Sequence, residues 1–334
     1  MLEKVIEKNA IRIGPRCYIS FQRTLRIPDD GRVYPLPPGL GAFQIHRVDD
    51  YKGSLPQEWH TNGSVFISMY QREALWIGFR GASWKPNAVK IEIGGINAVS
   101  GQQSEKVLIK DPQDYVVVPD QPWLDGINTG AGTIRQFVAM PLGLGYTVEA
   151  ALSGQEKHGG IRLTVYEPKP GKFPDVPPPE TVASPQKLSM PAMGKPAEMG
   201  MGLGAGGAMK QKIYPDDYGI DVWNQYNSGS ATVYILNSAQ YRRVTGAEPP
   251  PTPIDAATYT RQNLPWFELY DEEKRHVATS ELLTGAKTIA ERDQEQGIES
   301  DHGKSIRIEG TQIKKLGQSE TRTTPMTPAE SGQK

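Results

Sequence analysis

The chain has 334 residues, 37% apolar and 22% charged, with a formal charge of −1. That length suits two ordinary domains, each with its own core. The near-neutral balance excludes a global field for nucleic acid or an anionic membrane, and the single cysteine, Cys17, excludes an intramolecular disulfide framework.

The N-terminus lacks the apolar centre of a signal peptide, and no window reaches the roughly 20 apolar residues that span a bilayer. The expectation is a soluble, cytoplasmic protein with no membrane span. Gly and Pro together make up about a fifth of the chain, against a background of roughly an eighth. That excess favours turn-dense β architecture over a helical bundle.

From about residue 10 to 167, short strand signals recur roughly every ten residues, with turns between them. Arg16–Leu25 alternates aromatic and β-branched residues with polar ones, and Cys17 within it reads as a buried, inert thiol. Pro28-Asp29-Asp30-Gly31 follows as a turn. Further runs are Ser64–Tyr70, Ala74–Phe79, Ala88–Ile93, Lys106–Ile109, Tyr115–Val118, Ile134–Met140, Tyr146–Ala150 and Gly160–Tyr166. This spacing predicts a β-sandwich or jelly roll. Crossover helices of a parallel α/β sheet are missing from the pattern.

Residues 168–209 read as a Pro-, Gly- and Met-rich connector dividing the chain into residues 1–167 and 210–293. Gly202–Gly207 satisfies G-x-G-x-x-G, but a dinucleotide site needs a strand before it and a helix after it. A Pro/Met tract precedes it and a β-like segment follows, so the connector reading is preferred. Methionine is an adaptable apolar side chain, which makes Met190, Met193, Met199 and Met201 candidates for self-association. A copper site of these thioethers would want His or Cys reinforcement, and the segment has neither.

The second module, 210–293, is predicted to be smaller and of mixed β/α character. Its best strand is Ser230–Leu236. A short helix stopping at Gly246 and another over Asp255–Gln262, capped by Thr252 with Pro253 in its first turn, follow. Leu264–Phe267 is expected to fold back as a hydrophobic plug. Residues 294–334 read as a polar, disordered tail.

The five histidines, His46, His60, His158, His276 and His302, show no metal-ligand spacing, and structural zinc needs about four N/S ligands. No cofactor or metal is expected. The pairs Asp29-Asp30, Asp49-Asp50 and Asp216-Asp217 read as solvated turn corners before calcium ligands. Trp123 and Asp125, in the turn-like Gln121–Gly126, offer a stacking face and an acceptor of the kind sugar binders present. With Gln136 and Glu149 they are the candidate ligand-binding residues. No Ser/His/Asp order, P-loop or nucleophile elbow is present, so no catalytic residue is assigned.

Several stretches resemble a family of uncharacterised two-module β-rich proteins of filamentous bacteria and fungi. They are residues 17–31, Tyr34–Gly41, Met69–Trp76, Gln121–Ile127, Arg135–Glu149 and Gly159–Ile161, then Met201–Ile213, Gly219–Trp223 and Thr245–Glu272. The resemblance implies one continuous two-part protein and, since the family has no established activity, no mechanism. The residues lead to the expectation of a non-enzymatic structural, self-associating or ligand-binding β protein, acting as a homo-oligomer. The alternatives are a carbohydrate-binding or carbohydrate-active protein with its site at Trp123 and Asp125, and a phage- or toxin-type particle component.

Overall fold

The computed structural model describes residues 1–61, 63–176, 200–269, 274–299 and 304–316. The chain is mainly β. Up to Pro168 it lays down β1 (Lys4–Ile6), β2 (Ile11–Ile13), β3 (Cys17–Thr24), β4 (Val33–Tyr34), β5 (Gly39–Ala42), β6 (His46–Arg47), β7 (Val65–Met69) and β8 (Ala74–Arg80). Then come β9 (Asn87–Ile93), β10 (Ile96–Asn97), β11 (Val116–Val118), β12 (Trp123–Leu124), β13 (Gly126–Gly130), β14 (Thr133–Pro141), α1 (Val148–Ser153) and β15 (Ile161–Pro168). After residue 199 follow β16 (Gly200–Lys210), β17 (Trp223–Asn237), α2 (Ser238–Thr245), α3 (Ala256–Arg261), β18 (Trp266–Leu269), α4 (Glu281–Thr284), α5 (Ile289–Glu295) and β19 (Ile313–Leu316).

The alternation in β3 buries Cys17, Ile19 and Phe21 and leaves Tyr18, Ser20 and Gln22 half-buried, as period-2 strands do. β3 pairs antiparallel with β8 from Tyr18↔Arg80 to Thr24↔Ala74. β8 passes to β14 through Phe137↔Leu75, and β14 to β16 along most of its length. β16 then meets β17 at Gly200↔Leu236. β17 continues into β15 and β15 into β9, while β7 runs parallel along β17 from Val65↔Val233 to Asn237↔Met69.

Strands from both sides of the connector therefore share one hydrogen-bonded sheet. They share a core too: Phe21, Ile77 and Phe137 belong to the same buried cluster as Ile91, Leu163 and Val233. Each such fully buried side chain contributes about 1.5–3 kcal/mol.

The expected connector boundary at 209 is corrected by β16, because Gly200–Lys210 form a strand and only Gly200, Ala208 and Lys210 in it escape burial. The physical reason is closeness of approach. Met201, Leu203 and Ala205 point into the core, and the glycines between them carry no Cβ. A Cβ on Gly204 would stand 2.7 Å from the Tyr146 carbonyl oxygen and 3.2 Å from Ile289, and one on Gly202 2.8 Å from Thr147. Between Arg135↔Ala208 and Phe137↔Ala205 the register shifts, so Gly206 and Gly207 bulge opposite Gln136. There a Cβ on Gly207 would sit 2.1 Å from the Pro28 carbonyl oxygen.

The C-terminal residues also depart from the expected tail. Within it β19 pairs in parallel with β18 from Trp266↔Ile313 to Leu269↔Leu316, and α5, opened by the Thr288–Glu291 capping box, runs on to Glu295. Residues 317–334 lie outside the described residues. Trp266 and Phe267 do join the core, and Leu36 exchanges two backbone hydrogen bonds with Phe267, at 2.8 and 2.9 Å. α2 ends at Gly246 with φ 74°, a left-handed stop that favours glycine. α3 is capped by Asp255, which accepts from the Thr258 N–H at 2.8 Å, in place of the expected Thr252. Among the described residues no helix is long and apolar enough to cross a membrane.

Substituting Gly207→Ala should destabilise the protein by about 1–3 kcal/mol or more, because backbone has to move to admit the methyl. Gly200→Ala, whose Cβ would meet nothing nearer than 3.5 Å, should stay within about 1 kcal/mol of the parent. Urea unfolding of the two variants side by side checks the difference.

Candidate functional site

The four candidate ligand-binding residues are interior. Trp123 opens β12, which pairs with β8 through Trp123↔Gly78. It is 6% exposed and stands edge-on to Trp76, centroids 6.1 Å apart. Asp125 is wholly buried. Its backbone N–H donates to Gln211 Oε1 at 3.0 Å and its carboxylate accepts from Gln211 Nε2 at 2.7 Å. The sugar-binding geometry expected at Trp123 and Asp125 is thus corrected to a packed aromatic pair beside a clasp that joins the β12–β13 junction to the end of β16.

Gln136 is a second clasp. Its Oε1 accepts from the Ile27 N–H at 3.1 Å and its Nε2 donates to the Leu25 carbonyl at 2.8 Å. An amide side chain offers one acceptor and a donor in nearly backbone geometry, so Gln136 continues the ladder past the end of β3. β13 and β14 set it close to Asp125, with Gly126 opposite Gln136 and the Phe137 N–H donating to the Asp125 carbonyl at 2.9 Å. Glu149 lies apart, on α1, where its carboxylate accepts from the Lys157, His158 and Gly159 N–H groups at 2.9, 3.0 and 2.9 Å. The structure brings Asp125 and Gln136 together and leaves Glu149 elsewhere.

Met201 is 1% exposed within the core, with its sulfur 3.8 Å from Asn237 Nδ2. Met190, Met193 and Met199 lie outside the described residues. Cys17 is buried as expected, and burial pushes its thiol up to about 12.

The polar groups that converge on open space are ones no sequence motif had singled out as a set. A cavity of about 290 Å³ lies between residues 110–115, 215–220 and 275–278, with Tyr115, Asp216, His276 and Arg275 in its wall. Asp216 is its anchor. Oδ2 accepts from the Tyr115 hydroxyl at 2.7 Å and the Trp223 indole N–H at 2.8 Å, while Oδ1 accepts from the Tyr218 and Gly219 N–H groups at 2.9 and 3.1 Å. Burial, then the hydrogen bond to Asp216, holds the Tyr115 hydroxyl far above its ordinary range.

His276 is equally committed. Nδ1 lies 2.9 Å from the Ile213 N–H and therefore accepts, which places the ring proton on Nε2, 3.1 Å from Asn128 Oδ1. Burial lowers its pKa below the usual imidazole range; the Gly130 backbone opposes this and Lys212 adds to it. At the rim Lys274 sits over the Tyr214 ring, 4.7 Å from its centroid. Arg275 faces Asp217 at 3.9 Å with both side chains exposed, a pairing that contributes little. The walls hold a protonated phenol and a neutral imidazole, each with its hydrogen-bonding directed into the protein.

A second cavity, of about 280 Å³, is lined by Asp29, Arg135, Thr288 and Glu291 among others. Its groups hold α5 in place: Asp29 accepts from the Ala290 N–H at 2.9 Å, and Arg135 donates to the Ala286 carbonyl at 2.6 Å. The acidic pairs do not converge, and among the described residues no group of three or more His, Cys, Asp or Glu is arranged to hold a metal ion.

Compared with protein-family models, with curated proteins and with solved structures, the chain has no match. Of the site residues missed in sequence, Asp216 did carry a signal, since Pro215-Asp216-Asp217 repeats the Pro28-Asp29-Asp30 turn. His276 carried none.

Two outcomes follow. Gln136→Leu should cost about 2–4 kcal/mol, since it strands both the Ile27 N–H and the Leu25 carbonyl in the interior; urea unfolding measures it. Folded His276 binds its proton less readily than the unfolded chain, whose imidazoles titrate near 6.5. Below that pH the unfolded state carries more protons, so stability falls as pH drops from about 6.5 toward 5. His46, also lowered by burial with Asp50 opposing, acts in the same direction. The difference in unfolding free energy between pH 7 and pH 5 should be smaller in His276→Gln than in the parent.

Proposed function

We propose that this protein is a non-enzymatic β scaffold, its strands packed as two sandwiched layers, that works by associating with copies of itself. The observation that carries the reading is Tyr226, 98% exposed on β17, a strand otherwise mostly buried or half-buried. Other apolar side chains stand out near it. Val107 is 50% exposed, and the Leu108 N–H beside it donates to Gln225 Oε1 at 2.9 Å. Tyr218 and Val176 lie at the same end, where Phe173 meets Tyr218 edge-on at 5.3 Å and Tyr218 meets Trp223 at 6.2 Å. Clustered exposed aromatic and aliphatic groups favour association, and symmetric contacts between copies are the usual form it takes. The carbohydrate alternative is not carried forward, because Trp123 and Asp125 offer neither a free stacking face nor a free acceptor.

Static light scattering over a concentration series should give a mass that rises above one chain. Tyr226→Lys, at a fully exposed position, should leave the melting temperature unchanged and weaken association about tenfold or more, as loss of an aromatic anchor does. A single-chain mass at every concentration would sink the reading.

A further inference from the structure

Tyr226 is presented to solvent by the irregular part of β17. Between Tyr166↔Ser228 and Pro168↔Trp223 the register with β15 shifts, so residues 224–227 stand opposite Glu167 alone and the strand bulges. The Tyr226 backbone N–H donates to Asn224 Oδ1 at 3.1 Å, and Gln225 Oε1 accepts from the Leu108 N–H at 2.9 Å. The bulge is therefore pinned on both sides of a ring that is 98% exposed. An anchor fixed in this way has little backbone freedom to lose on binding.

The cavity of about 290 Å³ beside Asp216 opens at the same end of the molecule. Ile220, in its lining, packs on the buried cluster of Leu108, Tyr115 and Trp223, and the chain runs from Ile220 through Trp223 directly to Tyr226. Its size falls just below the roughly 300–1,000 Å³ of sites for drug-sized ligands and suits a single ring.

Its shape is set before any occupant enters. Gln113 Nε2 donates to the Tyr115 and Tyr214 carbonyls at 2.8 and 3.2 Å, and its Oε1 accepts from the Asp216 N–H at 2.9 Å. Gln113, Asp216 and His276 all spend their hydrogen bonds on the protein. The lining leaves an occupant the apolar surface of Pro215, Ile220 and Ala278, with the exposed Lys110 and Asp111 beside it. An ammonium and a carboxylate are donor and acceptor for one hydroxyl. An apolar ring with a hydroxyl at its tip is what tyrosine presents.

We propose that Tyr226 of one copy enters this cavity of a second copy, its hydroxyl between Lys110 and Asp111, and that the second copy returns the same contact. This deepens the association reading and rests on it. Ring and cavity lie on one stretch of chain, so a single two-fold axis engages both and the assembly closes at two chains. Aromatic anchors seated in pockets carry most of the energy of such contacts.

The test mixes two variants of the full chain. Tyr226→Lys keeps the cavity and lacks the ring; Ala278→Trp, at an exposed position in the lining, keeps the ring and fills the cavity. Each alone should associate about tenfold or more weakly than the parent in static light scattering, with its melting temperature unchanged. Mixed in equal amounts they should give a mass above that of either alone, because one ring again meets one open cavity. No gain on mixing overturns this assignment, as does a parent mass that climbs past two chains. p-Cresol, the tyrosine side chain as a free molecule, should compete and lower the mass of the parent at fixed protein concentration. Indifference to p-cresol overturns the cavity as the docking site, even where Ala278→Trp fails to fold. A parent of single-chain mass at every concentration overturns the association reading and this assignment together. Association weakened by Tyr226→Lys and untouched by both Ala278→Trp and p-cresol overturns this assignment alone.

Discussion

The fold depends on how closely other backbone can approach β16. On the face of β16 away from the core, Gly202 and Gly204 admit the Tyr146–Thr147 turn, and Gly204 also admits Ile289. The bulged Gly207 lies against the Pro28 carbonyl. Side chains at these positions would push each neighbour outward by more than interdigitated packing tolerates. Because β16 also pairs with β14, β17 and β4, those displacements would spread through the sheet. Glycine in a strand interior is a local weakness; here that loss is offset by the burial of Ile289, Tyr146 and Met140 in a small cluster against the sheet.

A second constraint follows from so much irregular chain packed on a sheet. Where a strand stops, its neighbours' N–H and C=O groups still need partners in the interior. Polar side chains supply them: Gln136 to residues 25 and 27, Gln211 to residue 125, Asn97 to the N–H groups of residues 99 and 100, and Asn128 to the carbonyls of residues 99 and 278. Glu149 does the same for three successive N–H groups with a full charge. Buried polar residues with satisfied partners specify one arrangement of loops.

This explains what could be read in advance and what could not. β3, β8 and β17 announce themselves through alternating or dense β-branched and aromatic residues, and α2 through Gly246. β16 does not, because its period-2 signal is written in Gly against Met, Leu and Ala, a pattern that also describes a loose connector. Only the neighbours that crowd it reveal the strand, and they come from residues 28, 146 and 289. β19 has the same problem in milder form: Ile313-Lys314-Lys315-Leu316 carries too little apolar character to read as a strand until β18 lies beside it. Among the candidate site residues, Trp123 and Asp125 have the composition of a binding loop and lie in the interior. A turn-like hexapeptide does not say whether the sheet closes over it. Asp216 and His276 reach one cavity from positions sixty residues apart, beyond any local pattern.

The Arg23–Glu73 pair bears on what the protein uses its interior for. Burial pushes the Glu73 carboxyl up, and Arg23 beside it with the Tyr70 N–H pulls it back. A buried ion pair is a poor source of stability, since an apolar pair of similar volume would often serve as well or better. Its retention needs another reason, and the geometry offers one. An apolar replacement would leave the Pro251 carbonyl without a donor and would release the Tyr70 backbone that aims its hydroxyl at Pro250. The charge pair fixes two hydrogen-bond donors that hold the chain at Pro250 and Pro251 against the sheet.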